Sequence, residues 1–205
     1  MRRREVVARC AMVAAGAVVL AGVATAASAE EQYGGEDIDV SVEIAEIDEP
    51  GVLALSVAGG AVQLTESGTT PTVRQFTGTL PTVTVTDTRT AEEIPDDAFW
   101  YVLGSATDFQ GSAGQSPIPA SLLGWVPALI DGGESGLVSE GDPVAGGLDA
   151  GGRGLVDVEL LAMAASSEAI AGEGQWTATA DLKLRTPASV EPGSYTSTLT
   201  LSLFE

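Results

Sequence analysis

Residues 175–185 constrain the fold most. Trp176, Ala178, Ala180, Leu182 and Leu184 alternate without a break with Thr177, Thr179, Asp181, Lys183 and Arg185. Strict period two puts the two sets on opposite faces of an extended strand, whereas a helix would scatter both around its axis. The apolar face needs a second layer to cover it. The Thr-rich, charged face suits water, as on the wet side of an antiparallel sheet. A chain holding such a strand must also supply its sheet partners.

Several other stretches can be those partners. At the C-terminal end, Glu191-Pro192-Gly193-Ser194 reads as a turn. After it Tyr195, Leu199, Leu201 and Leu203 alternate with Thr196, Thr198, Thr200 and Ser202, which predicts a core strand. Residues 38–44 and 52–57 alternate on either side of Asp48-Glu49-Pro50-Gly51 and predict a hairpin. Residues 61–65 and 73–78 predict further short strands, and 82–86 place Val83 and Val85 together. Over 99–106, Trp100 and Val102 share one face and Tyr101 and Leu103 the other. Both faces are apolar, as on a central strand or one covered by a loop. In residues 155–165, Val156, Val158, Leu160 and Ala162 fall on one face, and 166–170 can turn helical. Residues 122–130 are apolar but broken by Gly124 and Pro127, which predicts neither a helix nor a long strand. Residues 131–154 hold nine glycines and no periodicity, so they read as a long acidic loop or a partly disordered insertion. Many short strands with almost no helical period predict an all-β, antiparallel β-sandwich of Greek-key or Ig-like type with little helix. No Pro/Ser linker divides residues 30–205, which predicts one domain there.

Residues 1–29 have the pattern of a secretory signal peptide. Arg2, Arg3, Arg4 and Arg9 precede an apolar run over 10–26, and Ala27-Ser28-Ala29 offers a small-x-small cleavage site. Arg3-Arg4 ahead of Val6-Val7 also has a twin-arginine character. Cleavage takes the nine basic and 29 acidic residues to five and 28, a net charge near −23. A surface of that sign repels phosphates, so nucleic acid is not an expected partner. The secreted part has no His, and the single Cys, Cys10, lies in the leader. That removes disulfides, thiol nucleophiles, Ser-His-Asp triads and imidazole zinc sites. No cofactor is expected, nor a membrane span after cleavage. No sorting segment follows residue 203, so retention at the surface is expected to be non-covalent.

The candidate binding residues are aromatic. Trp100, Tyr101 and Trp125 offer flat faces on which a sugar ring can stack. Each has a competing place in a core, where a buried indole needs an acceptor for its N–H. Trp176, on the inward face of 175–185, reads as core. The acidic, Gly-rich 131–142 has the oxygen ligands calcium uses, but Gly133 and Ser135 stand where an EF-hand loop needs Asp or Asn. Catalysis by paired carboxylates is the one hydrolytic chemistry left, and nothing selects a pair among 28 acidic residues. The sequence therefore points to a binding or structural protein rather than an enzyme.

From Leu80 onward the order of short motifs resembles the WxL surface domain of Gram-positive bacteria. The matching pieces are Val83-Thr-Val-Thr-Asp-Thr-Arg89, Phe99-Trp100-Tyr101-Val102 with Asp108-Phe109, Leu182-Lys-Leu-Arg-Thr-Pro187 and Pro192-Gly-Ser-Tyr-Thr-Ser-Thr-Leu-Thr-Leu-Ser-Leu203. The first W-x-L triplet is Trp100-Tyr101-Val102 here, and the second is Leu201-Ser202-Leu203, without its Trp. The resemblance implies a secreted all-β protein held non-covalently on the wall, with peptidoglycan or another wall glycan as ligand. The alternative is an extracellular module that pairs with another surface protein through strand edges or an apolar patch.

Overall fold

The structure, a computed structural model, describes residues 50–205. In chain order the strands are β1 (Leu53–Val57), β2 (Thr65–Glu66), β3 (Val73–Thr79), β4 (Val83–Asp87), β5 (Tyr101–Ala106), β6 (Gln110–Gly111), β7 (Leu123–Asp131), β8 (Val138–Glu140), β9 (Glu159–Ala164), β10 (Gln175–Pro187), β11 (Tyr195–Thr196) and β12 (Leu199–Phe204). The only helical pieces among the described residues are single 3-10 turns at Ala91–Glu93, Ala120–Leu122 and Glu168–Ile170. The fold is all-β and sandwich-like, with every strand pair antiparallel. The expected leader and the first half of the expected hairpin, residues 38–44, lie outside the described residues.

The alternating run at 175–185 becomes β10, the hub of the larger sheet. One edge of β10 pairs first with β4, Trp176 opposite Val85, and then with β3, Leu184 opposite Phe76. The other edge pairs with β7. β1 extends the sheet beyond β4, and β2 extends it beyond β3. Trp176, Ala178, Ala180, Leu182 and Leu184 are all buried, as their period predicts, and Thr186 carries the inward face one step further. Val83 and Val85 of β4 are buried too. The smaller sheet has the order β12-β5-β9-β8, so β5 takes the central place, one of the two that its apolar faces allow.

Three tryptophans join the layers. Trp100, just before β5, packs on Trp176 of β10 with ring centroids 5.4 Å apart. Trp125 of β7 lies against Gly104 of β5, where a Cβ would come within 2.5 Å of the indole. A side chain at residue 104 would keep that ring out of the interface.

Five expectations from the sequence are corrected. Residues 123–131 do form a long strand despite Pro127. Trp125 exchanges both backbone hydrogen bonds with Val144 on the edge away from β10. Pro127, two residues on, turns its missing N–H toward that same outer edge and breaks no bond to β10. Val156 and Val158 are exposed, and Leu155 and Leu161 are buried instead. Val156 and Val158 precede β9, and within β9 a bulge splits the expected face. Leu103 faces Leu160 and Val102 faces Ala162, so Leu161 is an extra residue and the inward parity changes there. The C-terminal strand is not a core strand. It is broken into β11 and β12, and β12 is a half-buried edge with Leu199, Leu201 and Leu203 turned inward. The Gly-rich 131–154 is neither featureless loop nor disordered insertion. It contains β8 and lies on β7 and β9 through Val144 N–H to Trp125 and Gly141 N–H to Leu161, each 2.9 Å. Residues 166–170 end in one 3-10 turn rather than a helix.

Candidate functional site

The three aromatic candidates separate. Trp100 and Trp125 are each 1% exposed and offer no face to a ligand. Their period already placed Trp100 beside Val102, and both residues are in the core. Neither indole N–H has an acceptor among the described residues. Trp176 alone has one, donating to Glu173 Oε2 at 2.8 Å. That bond is the main reason the Glu173 carboxyl stays below its ordinary range. Tyr101 points the other way from Trp100 and reaches the surface, half-buried.

Tyr101 is the middle of a row. Register sets Phe204 of β12 and Met163 of β9 directly opposite it. Tyr101 and Phe204 stack at 5.4 Å, 19° between planes, and Phe99 joins at 5.9 Å. Phe99 and Phe204 are each 44% exposed. Leu103 and Leu160, both half-buried, continue the patch one pair further on. The outer face of the smaller sheet is thus aromatic at one end and aliphatic at the other. Phe204 was legible as an aromatic residue in register with the Thr/Ser face of the last strand.

The outer face of the larger sheet differs. A cleft of about 530 Å³ runs across β3, β10 and β7 and is walled by Pro143, Val144 and Ala145. Trp125 lines it only from below. The polar groups are Thr77, Thr79, Asp181 and Lys183. Thr79 Oγ1 donates to Asp181 Oδ1 at 3.2 Å. Lys183 Nζ sits 3.0 Å from Asp149 Oδ2, and Arg185 donates to the same carboxylate. Burial works to raise the Asp149 carboxyl, but hydrogen bonds from Lys183 and Arg185 outweigh it and hold the group below its ordinary value. The outward parity of Asp181 and Lys183 was legible; that they meet a cleft was not, because its other walls come from distant segments.

The remaining described cations have their own carboxylates. Arg74 pairs with Glu66, Arg153 with Glu159, and Arg89 with both buried Asp87 and Glu205. No three or more Asp or Glu side chains gather to hold a metal ion among the described residues, residues 131–142 included. None of the described helical segments is long and apolar enough to cross a membrane. Comparison of the chain with family models, curated proteins and solved structures finds no match.

Proposed function

We propose that this is a secreted surface protein that binds rather than catalyses, and that it associates non-covalently with cell-wall glycan through the face bearing Phe99, Tyr101 and Phe204. The observation that carries the reading is the surface row of touching rings, Tyr101 stacked on Phe204 and Phe99 tilted against Tyr101. Rings held by one another lose little side-chain freedom on binding, so stacking against a sugar costs little extra order. The signal-peptide pattern and the order of WxL-like motifs support the same reading. Trp100 and Trp125 act as scaffold in it. The acidic chain is repelled by anionic wall polymers, so attraction comes from stacking and hydrogen bonding, and salt relieves the repulsion.

The test is co-sedimentation of the secreted protein with purified Gram-positive wall at low and high salt, beside a folded Tyr101→Ala/Phe204→Ala variant. Binding is expected to hold or rise with salt and to fall sharply in the variant. Absence of co-sedimentation at every salt concentration rules the reading out. A second reading, docking of another surface protein, is favoured by the aliphatic continuation through Leu103 and Leu160. Binding that salt abolishes selects a cationic protein partner instead.

A further inference from the structure

The cleft on the larger sheet makes a second site, on a different sheet from the aromatic row and independent of the wall-binding reading. We propose that it binds a small, hydroxyl-rich carboxylate, of the size and chemistry of one acidic sugar ring.

β10 forms the floor of the cleft. Its outward positions alternate in charge type: Asp181, then Lys183, then Arg185. Consecutive outward positions on a strand lie about 7 Å apart, close to the span of a pyranose ring with its substituents. Lys183 faces Thr77 on one side and Gly124 on the other, and Asp181 faces Thr79 and Val126. Each row therefore offers one charge and one hydroxyl. Gly124 lets the wall come close on that side: a Cβ there would meet Val144 O at 2.5 Å, so the backbone of residues 144–146 packs directly over β7 and closes that flank of the cleft. The volume, about 530 Å³, falls within the range of small-molecule sites.

Charge selects the ligand. Every other described cation has a carboxylate of its own, whereas Lys183 and Arg185 share Asp149. The Lys183 side chain is 43% exposed. It is the place where one added negative charge gains a partner. Asp181 is exposed, and beyond the Thr79 hydroxyl it has acceptor capacity left for ligand hydroxyls. A carboxylate on Lys183, hydroxyls donating to Asp181, and ring C–H groups over Val126 and Pro143 satisfy all three. A neutral sugar brings no second carboxylate to the two cations that share Asp149. A phosphate dianion brings a second charge toward Asp181 and Asp149. An amine meets Lys183 itself.

The experiment is an amide-resonance titration of the secreted protein with sodium glucuronate, and separately with glucose and with acetate. Glucuronate is expected to shift Thr77, Thr79, Gly124 and Val126, with glucose and acetate each weaker by about tenfold or more, the worth of one charge-assisted hydrogen bond. Lys183→Met should weaken glucuronate by a similar factor and Lys183→Arg should largely restore it. Asp181→Asn, which leaves the ammonium in place, should weaken glucuronate while sparing acetate. The proposal fails if glucuronate shifts nothing in the cleft, if glucose binds as well, or if folded Lys183→Met and Asp181→Asn proteins both bind like the parent.

Discussion

β10 and β12 look alike as sequence and differ as structure. Both alternate cleanly, with Thr on one face and large apolar residues on the other. β10 is paired along both edges, and its inward residues are buried throughout. β12 pairs only with β5, and Leu199, Leu201 and Leu203 stay half-exposed. Alternation reports which face turns inward. It does not report how many neighbours the strand has, and burial depends on both.

Mutations sharpen that contrast. Trp176→Ala on β10 should cost about 3–5 kcal/mol in denaturant melts, the usual loss for a buried aromatic. A near-neutral result would mean that the layers are not held at Trp100 and Trp176. Gly104→Ala comes next, at about 1–3 kcal/mol, because the new methyl meets the Trp125 indole and Leu201. The same substitution at Gly136, where a Cβ meets nothing, tests the opposite case only for backbone strain, since its φ is +69°. Leu201→Ala on β12 should cost roughly 1–2 kcal/mol, below the range for fully buried leucine, since much of the side chain is wet already. A loss as large as that of Trp176→Ala would show β12 to be covered in solution.

A smaller effect lies at the end of β12. Arg89 hydrogen bonds hold the Glu205 carboxyl below its ordinary range, against some opposing burial. A depressed folded pKa adds stability that is present above the unfolded carboxylate range and is lost as pH falls through the folded value. Glu205→Gln should therefore cost about 1 kcal/mol or less at neutral pH and almost nothing in strong acid. An equal loss at both pH values would assign the effect to packing. Smallest of all, Thr177→Ala and Thr200→Ala, on the wet faces of the two strands, should each stay within about 0.5 kcal/mol of the parent. If Thr177→Ala matched Trp176→Ala, the register of β10 would be reversed.

The aromatic row and the cleft were legible to different degrees. Tyr101 was singled out by sequence, and its neighbour Phe99 by the same motif. Phe204 joins them only because β12 pairs with β5 in one particular register. The cleft needs more. Thr77, Gly124 and Lys183 are far apart along the chain and meet only where β3 and β7 flank β10. Trp125 shows the converse. Its irregular-looking segment left core and surface both open, and β7 pairing put the ring inside.

By itself the sequence determined the class of fold, the inward faces of β4 and β10, the two apolar faces of β5, and the absence of His and Cys chemistry from residues 30–205. These follow from composition and from the backbone pleat, which alternates side chains locally whatever the neighbours are. Tertiary structure decided the rest. It set the bulge that turns Leu160 and Ala162 to opposite faces, let Pro127 sit on an outer edge, placed Trp100 and Trp125 in the core, and built the two unlike outer faces. Those outcomes depend on strand pairing between distant segments, and a strand's own residues carry its period but not the identity of its neighbours.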